Sequence, residues 1–133
     1  SELWLDGGHN AAAGTMLADH ARADWTDRPL YLIGGMMNSK DTQDFLLPLA
    51  AVAVSFWGIT IPGEENSLSA TELADAARRV GLDACAATDV AAALVEIRAI
   101  GVGPLRVLIC GSLYLAGKVL AGNAEVPRGI EML

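Results

Sequence analysis

Short, uninterrupted apolar runs alternate along this chain with stretches of helical periodicity. That alternation constrains the fold more than any other feature. "ELWL" at 2–5, "LYLIG" at 30–34, "VAVSFW" at 52–57 and "LRVLIC" at 105–110 read as strands, with "DACA" at 83–86 as a weaker fifth. A strand with one face in water alternates polar and apolar residues, so runs without that alternation belong to strands covered on both faces. Between them, Asn10 is placed to cap a helix running to about Asp24, with Ala13, Met16, Leu17 and Ala21 on its inner face. Asp41 or Thr42 opens a second helix, through Phe45 and Leu46. Ser69-Ala70-Thr71-Glu72 is a capping box, in which Ser69 and Glu72 each satisfy a free backbone N–H. Leu73, Ala76, Ala77 and Val80 follow at helical spacing, and Gly81 stops the helix. Thr88 or Asp89 opens a fourth, with Val90, Leu94 and Ile97 inward, and Gly111 or Ser112 opens the last. Parallel neighbours need right-handed helical crossovers. The expected fold is therefore α/β: an open, mostly parallel sheet of about five or six strands with helices on both faces.

The remaining totals exclude more than they assign. At 133 residues the chain is a single domain, and 53% hydrophobic with 19% charged residues is the composition of a packed globule. A net charge of −7 with no Lys/Arg cluster repels nucleic acid and anionic membrane, so neither is an expected partner. Residues 45–63 carry no charge, but Pro48, Gly58 and Pro62 break the run, and a helix end followed by a buried strand explains it better than a membrane span. The two cysteines, Cys85 and Cys110, form neither a CxxC pair nor a disulfide framework. They are expected to be buried free thiols, which fits a reducing, cytoplasmic location. The chain opens on Ser1-Glu2 directly before a strand, without an initiator methionine or targeting segment, and is expected to be cut from a longer protein.

In a parallel sheet of this kind ligands bind beyond the carboxyl ends of the strands, so the strand exits are the places to search. Asp6 ends the first strand, Gly7-Gly8 permits a sharp turn, and His9 and Asn10 stand at a helix N-terminus, where free N–H groups favour an anion. The same residues equally fit a turn in which Asp6 and Asn10 are only caps and His9 faces water. At the second exit Lys40-Asp41 follows Gly34-Gly35; that lysine either meets a phosphate or carboxylate or is a solvated loop cation. Gly111-Ser112 offers a hydroxyl and free amides at the last helix, with or without a ligand. "GSLYLAGKV" is not a P-loop: one residue too many separates Gly111 from Gly117, and Val119 stands where a Ser or Thr should bind magnesium. GxGxxG and GxSxG are absent, and the two histidines, His9 and His20, have no metal-ligand spacing. The residues alone describe an anion-binding domain without a nucleophile of its own.

Three segments, in order and spanning almost the whole chain, resemble one family. "LDGGHNAAA" resembles the D-G-A-H-N motif of the folylpolyglutamate synthase and dihydrofolate synthase family. "GGMMNSKD" is similar to that family's segment ending in Lys-Asp, and "CGSLYLAGKVL" to its Gly-Ser-Leu-Tyr-Leu-Ala-Gly signature. Gly8 replaces the commoner alanine and Ala11 a frequent proline, neither of which removes a side chain that carries chemistry. The resemblance is to the C-terminal domain of these enzymes, within the Mur-ligase superfamily, and it implies a Rossmann-like fold. The Asp-x-x-His-Asn motif by itself names only the superfamily; "GSLYLAG" selects the folate branch.

What the resemblance implies is an ATP-dependent amide ligase of folate biosynthesis and one-carbon metabolism. ATP phosphorylates a carboxylate of the pteroate or folate substrate, and the amino group of L-glutamate attacks the acyl phosphate. Phosphate leaves through a tetrahedral intermediate, with no protein nucleophile. The phosphate loop and Mg2+ ligands belong to an N-terminal domain, so no metal ligand is expected here and the fragment alone is expected to be inactive. Carried over by motif, Asp6 and Asn10 belong to the ATP side, with Asn10 shaping the turn. His9 is the catalytic residue and, with Ser112 and Lys40, meets glutamate or the acyl phosphate; Tyr114 is expected to pack. Family members usually work as monomers. Two other assignments compete: the C-terminal domain of a cell-wall Mur ligase acting on a UDP-linked peptide, and a free-standing flavodoxin-like nucleotide-binding module.

Overall fold

The computed structural model of the chain describes residues 1–37, 41–122 and 130–132, the last three by their backbone. Strands and helices alternate without exception among these residues. In order they are β1 (Glu2–Leu5), α1 (Ala11–Asp24), β2 (Leu30–Gly34), α2 (Thr42–Leu49), β3 (Ser55–Gly58), α3 (Ala70–Arg79), β4 (Ala84–Ala86), α4 (Val90–Ile100), β5 (Arg106–Cys110), α5 (Leu113–Ala121) and β6 (Ile130–Met132). The strand order is β4-β3-β2-β5-β1-β6, and every strand pairing is parallel.

The pleat sorts the apolar residues onto two faces, because successive side chains of a strand point oppositely. Leu30, Leu32, Phe56 and Leu108 pack with Leu17 and Ala18 of α1, Phe45 and Leu46 of α2, and Leu73 and Ala77 of α3. Tyr31, Ile33, Trp57, Val107 and Ile109 pack on the other face with Ala93 and Ile97 of α4 and Leu115 and Ala116 of α5. The sheet is thus covered on both sides, as the uninterrupted apolar runs require.

The helix starts fall where the local chemistry puts them. Asn10, Ser69, Asp89 and Ser112 each accept a first-turn N–H, and Ser69 with Glu72 closes the capping box reciprocally. Three expectations need correcting. Met16 is exposed rather than inward; α1 turns Gly14 and Ala18 to the core instead, and crosses α2 so closely that a Cβ on Gly14 would collide with the Phe45 carbonyl. The third strand begins at Ser55, not Val52, because the Val52 and Ala53 amides are spent on the Leu49 carbonyl at the end of α2. Cys110 is buried but Cys85 only partly so; both thiols are free.

Chain order and strand order together create a switch point. From β1 the chain crosses to β2 on one side, whereas from the adjacent β5 it crosses back over β1 to β6 on the other. The carboxyl ends of β1 and β5 therefore lie side by side with their connections leaving to opposite faces of the sheet, which leaves a crevice. The amino end of the same strands is closed by charge instead. The guanidinium of Arg106 forks onto both carboxylate oxygens of Glu2 at 3.0 and 3.1 Å, and donates to Asp27 at 3.0 Å. It also stacks 5.3 Å from the centre of the Trp25 ring, while Arg28 reaches Glu2 at 3.2 Å.

Candidate active site

The crevice between the β1 and β5 exits collects most of the polar residues singled out above. Asp6 is buried, its backbone N–H still bonded to Ile109 of β5 at 2.9 Å. Its Oδ2 accepts the Gly8 N–H at 2.8 Å and so holds the turn that presents His9. His9 itself is exposed. Asn10 caps α1 by accepting the Ala13 N–H at 2.9 Å.

Ser112 does the same for α5 and is 3% exposed. Its Oγ accepts from the Tyr114 and Leu115 amides at 3.0 and 3.4 Å, and among the described residues its own O–H is spent on no protein acceptor. The left-handed turn before it needs glycine: Gly111 has φ of +101°, and a Cβ there would lie 2.8 Å from both the Gly35 carbonyl oxygen and Met36 Cγ. The β2 exit is thereby packed directly against the β5 exit.

These exits enclose a cavity of about 200 Å³ lined by His9, Met36, Met37, Gly111, Ser112, Leu113 and Tyr114. His9 and Ser112 share it, with Asp6 and Asn10 behind the turn that carries His9. Lys40 lies outside the described residues. Tyr114 differs from expectation: it is 56% exposed and stands at the cavity rim, because Leu115 and Ala116 are the residues of this turn that face the sheet. Met36, Met37 and Leu113 were not singled out from sequence. Only their position inside the "GGMMNSKD" and "GSLYLAG" segments marks them.

Electrostatics set this corner apart from the rest of the carboxyl end. The other helix starts each carry an acid, Asp44 and Glu72 in the first turns of α2 and α3 and Asp89 as the cap of α4, which offsets the positive end of the helix dipole. The first turns of α1 and α5 contain none. Two helix N-termini without a first-turn acid thus flank the crevice, an arrangement that favours an anion there. Cys110, beneath the site, is not a nucleophile: burial, together with the nearby Asp6 charge, pushes its thiol pKa far up and keeps it protonated. Among the described residues no His, Cys, Asp and Glu side chains converge to hold a metal ion, and no helix is long and apolar enough to cross a membrane. A larger, apolar cleft of about 420 Å³ lies between α4 and α5. Its lining, which includes the charged Asp89 and Lys118, contains none of the sequence-predicted site residues.

Fold and site together define a Rossmann-like α/β domain with a polar crevice at the carboxyl ends of its strands. Residues 1–122 match the family of the dihydrofolate synthetase C-terminal domain, and the chain belongs to that family. No curated protein matches the chain in sequence. Among solved structures it is similar to Mycobacterium tuberculosis folylpolyglutamate synthase complexed with ADP, with a TM-score of 0.79 and 22% identity over 92% of this chain and 30% of that one. It is also similar to E. coli FolC in complex with DHPP and ADP, with a TM-score of 0.76 and 21% identity over 90% of this chain and 28% of the other. A bifunctional folylpolyglutamate synthase/dihydrofolate synthase with Mn, AMPPNP and L-glutamate bound gives a TM-score of 0.71 and 24% identity, over 89% of this chain and 28% of that one. The chain thus spans less than a third of the length of these solved enzymes.

Proposed function

We propose that the chain is the C-terminal, glutamate-ligase domain of a two-domain ATP-dependent enzyme that adds L-glutamate to dihydropteroate, to folate polyglutamates, or to both. One observation carries the proposal: His9 and Ser112 share a small cavity at the β1/β5 switch point, between two helix N-termini without acidic first-turn residues. Such a corner suits a transferring phosphate and the oxyanion that follows it. The family match and the ADP, AMPPNP and L-glutamate bound by the similar solved enzymes support the same reading.

In this scheme bound ATP supplies the phosphoryl group that activates the pterin-side carboxylate, with Mg2+ held by the N-terminal domain. His9 donates a ring N–H to the acyl phosphate and then to the oxyanion of the tetrahedral intermediate. Ser112 directs its O–H at the same charge, and the positive end of the α5 dipole adds to it. Asp6, already bonded to Gly8, turns its second oxygen towards donors on the nucleotide, such as ribose hydroxyls, since a carboxylate repels phosphate. Asn10 keeps the turn and the start of α1 in place. Lys40, on sequence grounds alone, adds a cation at the same face. Positioning and charge stabilisation carry the reaction, and no protein nucleophile enters it.

The test is ADP release by the complete enzyme with ATP, Mg2+ and L-glutamate, offering in turn dihydropteroate, tetrahydrofolate and a UDP-linked muropeptide. Release that requires both glutamate and a pterin is expected, as is silence from the isolated 133 residues. Turnover with the muropeptide and no pterin would replace the folate assignment by a cell-wall ligase.

A further inference from the structure

The site takes an apolar wall from the loop that follows β2. Met36 and Met37 follow β2 and line the cavity with His9 and Ser112. A methionine is the most adaptable apolar side chain, so a methionine wall is only as defined as the backbone beneath it. The β3–α3 loop grips that backbone at three successive residues. Ile61 lies against Gly35, its Cγ1 2.8 Å from where a Cβ would stand. The Leu68 N–H donates to the Met36 carbonyl at 2.8 Å. Ser67 pairs with Met37 in an isolated antiparallel bridge.

One hydroxyl joins the three grips. Ser67 Oγ accepts the Ile61 N–H at 2.9 Å and donates to the Leu68 carbonyl at 2.9 Å. The two residues that hold Gly35 and Met36 are thus tied through the side chain of the residue whose backbone holds Met37.

We propose that Ser67 is a positioning residue for the site: by closing the 61–68 loop it fixes Met36 and Met37 as the apolar wall against which the methylenes of incoming L-glutamate pack. The proposal rests on the glutamate-ligase reading above. It makes Ser67 act on amino-acid binding rather than on phosphoryl transfer, because its contacts reach the methionine wall and not His9 or Ser112.

Ser67→Ala and Ser67→Thr in the complete enzyme test this, with steady-state kinetics and hydrogen exchange at the Ile61 and Leu68 amides. Ser67→Ala is expected to raise the KM for glutamate about tenfold, leaving kcat within about twofold and the KM for ATP unchanged. Exchange at Ile61 accelerates in the same variant, and Ser67→Thr, which keeps the hydroxyl, restores both. Faster exchange with an unchanged glutamate KM reduces Ser67 to a loop staple and overturns the proposal. So does an unchanged exchange rate, or a fall in kcat with no change in KM. An unmodified enzyme whose turnover ignores glutamate overturns the ligase reading itself, whereas a glutamate-dependent enzyme indifferent to Ser67→Ala overturns only this proposal.

Discussion

The two ends of β1 and β5 are built from opposite strategies. At the amino end the charges face one another: Arg106 is buried between Glu2, Asp27 and the Trp25 ring. At the carboxyl end polar groups are brought together without being matched. Ser112 has an O–H spent on no acceptor among the described residues, His9 stands exposed, and two helix N-termini lack a first-turn acid. One pair of strands thus has a pole that fixes the fold and a pole whose polar groups can still meet a ligand. Substitutions at the first should cost stability, and at the second, activity.

The largest stability effect belongs to the amino end. Arg106→Met leaves Arg28 as the remaining cation beside Glu2 and Asp27 and removes the stack on Trp25, and urea unfolding should show the largest fall in midpoint of the substitutions considered. Its kcat, measured where the protein remains folded, stays at the unmodified value; a large fall in kcat would break the division between the poles.

A smaller effect separates the poles more sharply. Ser112 and Ser69 both cap helices with their hydroxyls, so Ser112→Ala and Ser69→Ala should each cost about 1 kcal/mol. Only Ser112→Ala should also reduce ligase turnover, read by ADP release. Equal activities in the two variants would leave Ser112 a cap and nothing more.

The smallest effect is on pH dependence. The Arg106 hydrogen bond holds Glu2 below the usual carboxylate range, with Trp4 adding to it. A depressed folded-state pKa stabilises above the unfolded value, and that stability is lost as pH falls through the folded one. Thermal unfolding should therefore show stability declining as pH drops below about 4.5, with a shallower decline in Glu2→Gln. An identical decline in that variant would place the acid sensitivity elsewhere.

How much of this was legible in the sequence follows from how local each feature is. Asn10, Ser69, Asp89 and Ser112 announce helix starts because a cap concerns only the residues three or four places ahead. The strands announced themselves by uninterrupted apolar character, which depends on burial alone. Strand order did not, since nothing within β1 or β5 states that they are neighbours whose connections leave to opposite faces of the sheet. The inner face of α1 was misplaced at Met16 because the closest contact, Gly14 against Phe45, is made by a residue with no side chain to notice. β6, three residues at the sheet edge, offers too short a run to stand out. The site divides in the same way. Asp6, His9 and Ser112 are marked by polar character beside glycine, whereas Met36, Met37 and Ser67 matter only through contacts between exits.

The central claim is that the carboxyl pole carries ligase chemistry, and His9 tests it most directly. Its side chain is exposed and belongs to neither core cluster, and an unchanged unfolding midpoint separates a loss of function from a loss of fold. Glutamate-dependent ADP release by the complete enzyme is the measurement, with His9→Ala compared against the unmodified protein. The account predicts a loss of at least about 100-fold in kcat with an unchanged unfolding midpoint. Turnover equal to that of the unmodified enzyme would contradict it and leave the crevice at the switch point without the role given to it.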